Sequence, residues 1–162
     1  MRPSAQSRTY DGRSFSLSYP DNWQVSAEAR GDAVTIAPRD GLVPGAEGRV
    51  SIGYGMQVSY YLPEGRSADL QRDTDALIRR LQQTNADMRN GRESRGILVA
   101  GEPALLSTLY SRSPYRNQRE VDVLVTAVRP RGLFYIVFIA PESEFDAVQK
   151  SFEEVVKSVR FE

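Results

Sequence analysis

The run Leu133-Phe134-Tyr135-Ile136-Val137-Phe138-Ile139-Ala140 constrains the fold more than any other stretch of the chain. It is far shorter than the roughly 20 apolar residues that a membrane-crossing helix needs. It is also rich in the β-branched and aromatic residues that suit strands. Side chains of a strand point alternately to opposite faces, so an almost wholly apolar strand must be covered on both. The run therefore predicts a central strand with a further layer of structure on each side.

The flanking segments read as its neighbours. Glu120 to Val128 alternates, with Val121, Val123, Val125 and Ala127 on one face, and Arg129-Pro130-Arg131-Gly132 reads as the hairpin tip leading into the central strand. Ala104 to Tyr110 is a strand after a Gly101-Glu102-Pro103 turn, and Gly96 to Ala100 is a short one. Near the start, Phe15 to Tyr19 alternates strictly, Pro20-Asp21-Asn22 turns the chain, and Trp23 to Ala27 alternates again. Ala33 to Ala37 is a further strand. Pro38 to Gly48 reads as a mobile connection, and Arg49 to Tyr61 as a β-rich stretch able to leave an open sheet edge. Gly53 and Gly55 lie on the opposite phase of that stretch, where something packs closely or the strand bends. Trp23 is expected to be a core anchor, since its ring buries a large area.

Two segments have helical spacing. Ser67 reads as a helix N-cap with Asp69 in the first turn. Leu70, Thr74, Leu77, Ile78, Leu81 and Met88 form one stripe, and Asn90-Gly91 is the stop. Pro141 and Glu142 open a second helix with the stripe Phe145, Val148, Phe152, Val155, Val156 and Val159. Short turns between neighbouring strands imply antiparallel pairing. The fold class is α+β: an α/β/α sandwich with a central, mostly antiparallel sheet and helices on both faces. Residues 1–8 are expected to be a loose polar linker and residues 9–162 a single domain. The start, Met1 to Ser7, lacks the apolar core of a signal peptide and reads as a linker, so an excised part of a longer protein is expected.

The chain has no His and no Cys. That excludes zinc sites built on those residues, Ser-His-Asp triads, Cys-His pairs, haem-His ligation and disulfides within it. The 21 basic and 21 acidic residues cancel, which removes a bulk electrostatic pull toward nucleic acid or a membrane surface. Glu142, Glu144 and Asp146 are explained by the dipole at a helix start. The other carboxylates read as helix-surface or loop residues, so neither an acid–base dyad nor a metal or cofactor site is expected. The arginines around residues 66–95 are interleaved with acids and read as a solvated face. One loop stands out. Tyr110, Arg112, Tyr115, Arg116 and Arg119 lie in a ten-residue stretch with no acid before Glu120, and Tyr and Arg are favoured at protein interfaces. These five are the candidate partner-binding residues.

The opening Phe15-Ser16-Leu17-Ser18-Tyr19-Pro20-Asp21-Asn22-Trp23 resembles the start of PsbP-like domains. That family includes a photosystem II extrinsic subunit, Ran-binding Mog proteins and bacterial lipoproteins. Gly101-Glu102-Pro103-Ala104, the strand from Leu133 to Phe138 and a terminal helix ending in Ser158-Val159-Arg160-Phe161 follow in the same order. The second half also resembles domains that follow the catalytic unit of certain bacterial membrane-associated zinc metallopeptidases, through Gly101 to Leu105, Glu120 to Thr126 and Leu133 to Phe145. The resemblance implies a non-catalytic interaction or accessory domain of a larger extracytoplasmic bacterial protein, with a protein partner or a parent catalytic domain. The alternatives are a free-standing periplasmic or lipid-anchored binding protein, and a metal-independent enzyme using Arg and carboxylates in a sheet-side cleft.

Overall fold

The computed structural model describes residues 2–27, 33–65, 68–91 and 94–162. In chain order its strands are β1 (Ser7–Asp11), β2 (Phe15–Pro20), β3 (Gln24–Ala27), β4 (Val34–Ala37), β5 (Leu42–Pro44), β6 (Val50–Ile52) and β7 (Gly55–Tyr61). Helix α1 (Leu70–Thr84) follows. Then come β8 (Arg89–Asn90), β9 (Arg95–Val99), β10 (Glu102–Arg112), β11 (Arg119–Arg129) and β12 (Gly132–Pro141), then α2 (Phe145–Ser158) and β13 (Arg160–Phe161).

The main sheet has the order β3-β4-β7-β12-β11-β10-β8, with β9 also pairing with β10, and every pairing is antiparallel. The apolar run lies in β12, between β7 and β11. Its two phases enter two cores. Phe134, Ile136, Phe138 and Ala140 join Val148, Phe152 and Val155 of α2. Leu133 and Val137 join Leu77 and Ile78 of α1. The layer required on each face is thus a helix, and the α/β/α sandwich is what the sequence predicts. Phe134 and Phe138 have no exposed surface, and full burial of such a side chain contributes about 1.5–3 kcal/mol.

A smaller sheet, β1-β2-β13, closes the α2 side. Phe15 of β2 and Phe161 of β13 both meet Phe134 edge-on, at 5.4 and 5.0 Å between ring centroids. Trp23 is 3% exposed and packs edge-on against Tyr54 and Phe152, the core anchor expected of it.

Several boundaries differ from the sequence reading. Ser7 and Arg8, placed in a loose linker, begin β1 and pair with Pro20 and Tyr19, while Ser4 and Arg2 are hydrogen-bonded to Asn22. Polar residues suffice there because β1 is an edge strand held by backbone bonds. Helix α1 starts at Leu70, where Asp69 accepts the Arg72 N–H at 2.9 Å. Ser67 lies outside the described residues, as do Arg66, Arg92 and Glu93. The helix stops at Thr84, before Asn90-Gly91, because the backbone and side chain of Asn85 both donate to the Leu81 carbonyl. Met88 still joins the α1-side core, from the following loop. The connection after Pro38 contains a 3-10 turn and the β5–β6 hairpin. The stretch from Arg49 to Tyr61 is not an edge of the main sheet, since β7 is paired on both sides.

Candidate functional site

In the β10–β11 hairpin Ser111 faces Glu120 and Arg112 faces Arg119 across the strands. The connecting loop is held from within. Ser113 N–H donates to the Gln118 carbonyl at 2.9 Å and Tyr115 N–H to the Ser113 hydroxyl at 3.1 Å. Asn117 takes the left-handed backbone, with φ 60°, a conformation that Asn tolerates better than most residues. Tyr115 ties this loop to another part of the chain: its hydroxyl donates to the Asp40 carbonyl at 2.6 Å. Its ring lies against Gly53, where a Cβ would come within 2.5 Å of it. Burial first, and then the charge of Asp40, raise the Tyr115 phenol above its ordinary value.

The structure therefore divides the five candidate residues. Tyr115 is a brace. Tyr110 is half-buried on the α2 side of the sheet, with its ring over Gly91. Arg112, Arg116 and Arg119 are exposed. Arg112 meets Asp87 at 3.5 Å, with both side chains largely in water, and such a pair contributes about 0–1 kcal/mol. Arg129 and Arg131 stand at the far end of the hairpin. There Arg129 pairs with Glu102 and covers Phe161, and Arg131 lies over Tyr60.

The same hairpin carries a feature that the sequence reading missed. Val121, Val123, Val125 and Ala127 fill the α2-side core, so the other phase of β11 faces α1. Farther along that phase, Thr126 is buried and exchanges a 2.7 Å hydrogen bond with Thr74 of α1, while Leu124 packs with Leu77 and Ile78. Glu120 and Asp122 lie nearer the loop. There a cleft of about 860 Å³ opens, walled by the C-terminal end of α1, the β5–β6 hairpin and the loop residues Ser113 and Pro114. Glu120 is 7% exposed and Asp122 3%. Glu120 Oε2 and Asp122 Oδ1 have no hydrogen-bond partner. Burial, and next the neighbouring Asp122, push Glu120 up to about 8, and burial pushes Asp122 up to about 7. These are not the helix-surface or loop carboxylates expected from the sequence. The signal was there: two acids at i and i+2 on a strand share a face, and that face of β11 goes on to Leu124, Thr126 and Val128.

A second groove, of about 920 Å³, lies on the α2 side over Leu106, Val121 and Val123. Its rim mixes signs, with Arg95 and Lys157 beside Asp146 and Glu153.

No family model and no curated protein sequence matches this chain. Solved structures do. Cyanobacterial PsbP (CyanoP) from Synechocystis sp. PCC 6803 superposes with a TM-score of 0.64 at 13% identity, over 98% of this chain and 94% of that one. The fold is PsbP-like. The Saccharomyces cerevisiae Ran-binding protein Mog1p superposes equally well, with a TM-score of 0.64 at 11% identity, over 97% of this chain and 96% of that one. LpqN of Mycobacterium tuberculosis, involved in cell envelope biogenesis, gives 0.57 at 12% identity over 96% and 90%. At these identities the likeness is one of fold. Within the PsbP-like fold of this chain, the acidic cleft and the arginine loop share one end of the β10–β11 hairpin. Among the described residues no group of three or more acidic side chains is placed to hold a metal ion, and no helix is long and apolar enough to cross a membrane.

Proposed function

We propose that this chain is a non-catalytic binding or accessory domain that docks a protein partner through the β10–β11 loop, with Arg112, Arg116 and Arg119 as the contacting side chains. The observation that carries this reading is a braced loop with free ends. Its backbone is held by the Ser113–Gln118 bond and the Tyr115–Asp40 bond, while its arginines project into water. A preorganised loop loses little freedom on docking, and arginine is favoured among the residues that dominate interface energies. Tyr110 and Tyr115 act in this reading by holding the platform. Among the structural neighbours, Mog1p is a Ran-binding protein, which supports protein binding as a use of this fold.

The domain belongs, in this proposal, to a larger extracytoplasmic bacterial protein, with the non-catalytic part of a zinc metallopeptidase as one form. A free-standing periplasmic or lipid-anchored protein is the alternative. The cell-envelope role of LpqN supports the compartment. The test is a photo-crosslinking amino acid at residue 116, against a control at residue 131 at the far end of the hairpin. Crosslinks from residue 116 alone, abolished by R112E/R119E, are expected. Crosslinks that persist in that variant, or that form equally from residue 131, would defeat the reading. Blotting the fractionated source cells decides between the two forms. A band much larger than 18.1 kDa means a parent chain, and a band near it a free-standing protein.

One observation favours a metal-independent enzyme as a second reading: Glu120 and Asp122 are buried carboxyls held near neutrality in a cleft that Arg112 also lines. Groups that titrate near the working pH are suited to proton transfer. Turnover of an esterase, phosphatase or glycosidase substrate that survives chelation and vanishes in E120Q would establish it, and a flat panel would remove it.

A further inference from the structure

We infer that the cleft on the α1 face is a binding site for an organic cation, an ammonium or guanidinium on an apolar stem, received by Glu120 and Asp122.

A buried carboxyl without a partner is expensive, and two on one face are more so. Glu120 and Asp122 are roughly 6–7 Å apart along the strand. Each is more than nine-tenths buried, each has one carboxyl oxygen without a hydrogen-bond partner, and both residues line the cleft. Packing alone does not ask for acids here, because Leu124, the next residue on this phase, fills its own place against α1. The missing element is a positive charge.

Among the described residues none supplies one from inside. The charged or titratable side chains among the described residues lining the cleft are Glu120, Asp122, Asp87 and Arg112, and the others are neutral. Arg112 sits at the rim, 76% exposed and paired with Asp87. Arg116 and Arg119 point into water, where salt screens them.

The walls select the rest of the ligand. Leu42, Ile52, Val137 and Ile139 line the cleft beside the acids and would cover an aliphatic stem. The volume of about 860 Å³ lies within the range of small-molecule sites, about 300–1,000 Å³. A divalent metal fits less well. Calcium takes about six to eight oxygen ligands and magnesium a near-octahedral set, whereas the acids here are two, with Asp87 already engaged. The cation has two possible sources: a free amine, or a Lys or Arg side chain presented by another protein.

Binding must displace protons, because a cation favours the ionised carboxyls that burial disfavours. Each proton released raises affinity by up to about tenfold per pH unit below the carboxyl's own titration.

The test is calorimetric titration of the intact 162-residue chain with agmatine, with the capped tripeptide acetyl-Leu-Arg-Leu-amide, and with calcium chloride, at about pH 6.5 and pH 8.5. The expected result is that agmatine or the tripeptide binds, tenfold or more tightly at the higher pH, with proton release seen as a dependence on buffer ionisation heat. Binding should disappear in E120Q/D122N. In I52W, where the wall is filled and the acids are untouched, it should also disappear, which covers the case of a misfolded double variant. Agmatine alone would identify a free amine as the source, and the tripeptide alone a partner's basic side chain. Binding of neither at millimolar concentration, binding retained in the variants, or calcium binding tighter than both probes would overturn the inference. Loss of the arginine-loop crosslinks would leave it standing, since it does not rest on that loop.

Discussion

Glu120 and Asp122 show how much a single residue's surroundings decide. Unfolded, their carboxyls titrate near the ordinary values of 4.5 and 3.8; folded, they are raised to about 8 and about 7. Between those limits the folded chain holds protons that the unfolded chain has released. The contribution of these groups to stability is therefore present below about pH 4 and is lost as the pH rises toward 8. E120Q/D122N removes the ionising groups and keeps their shape. Its Tm is expected to match that of the parent near pH 4 and to exceed it by a growing margin up to pH 8. A gap that stays constant with pH in thermal melts would contradict the raised values. Tyr115 makes a simpler case. Y115F removes the hydroxyl bonded to the Asp40 carbonyl, and a net loss of about 0.5–1.5 kcal/mol is expected in denaturant unfolding. G53A is expected to cost more, since its Cβ would press into the Tyr115 ring.

At the scale of the element, α1 is set by its ends as much as by its stripe. Asp69 closes the first turn, and D69A is expected to cost about 1 kcal/mol, read as a shift in the urea midpoint. Asn85 ends the helix, and this early stop matters: the uncovered sheet beyond it is the acidic cleft. The stripe from Leu70 to Leu81 was legible, because helical spacing of apolar residues survives in almost any context. The stop was not, because Asn85 acts through hydrogen bonds to one carbonyl and not through any break in pattern. Strand β12 was legible for the opposite reason. A run apolar on both phases has one solution in water, burial on both faces. F138A, which opens a cavity between β12 and α2, is expected to cost about 3–5 kcal/mol in the same unfolding measurement.

At the scale of the whole molecule, the two cores share β12 and β11, so α1 and α2 are tied through the same strands. The single domain proposed for residues 9–162 predicts one cooperative transition. Trp23 fluorescence, which reports the α2 side, and far-UV circular dichroism should follow one unfolding curve, and separated curves would divide the domain. The small sheet joins both ends of the chain, since β1 and β13 flank β2. Neither flanking strand was expected from the sequence. Both are short, polar or mixed in pattern, and held by backbone bonds that carry no residue signature.

The sequence by itself determined the layered architecture, the positions of the long strands and both helical stripes, and the exclusion of His and Cys chemistry. Those follow from apolar periodicity and from composition, which are local properties. Only the tertiary structure decided which residues of the arginine-rich loop brace it and which are exposed, because that depends on Asp40 and Gly53, 75 and 62 positions before Tyr115. It also decided that Glu120 and Asp122 are buried together without partners. Burial of a charge is a property of what surrounds it, and the walls of the cleft in which they lie come from α1, β5 and β6, far from β11 in the chain.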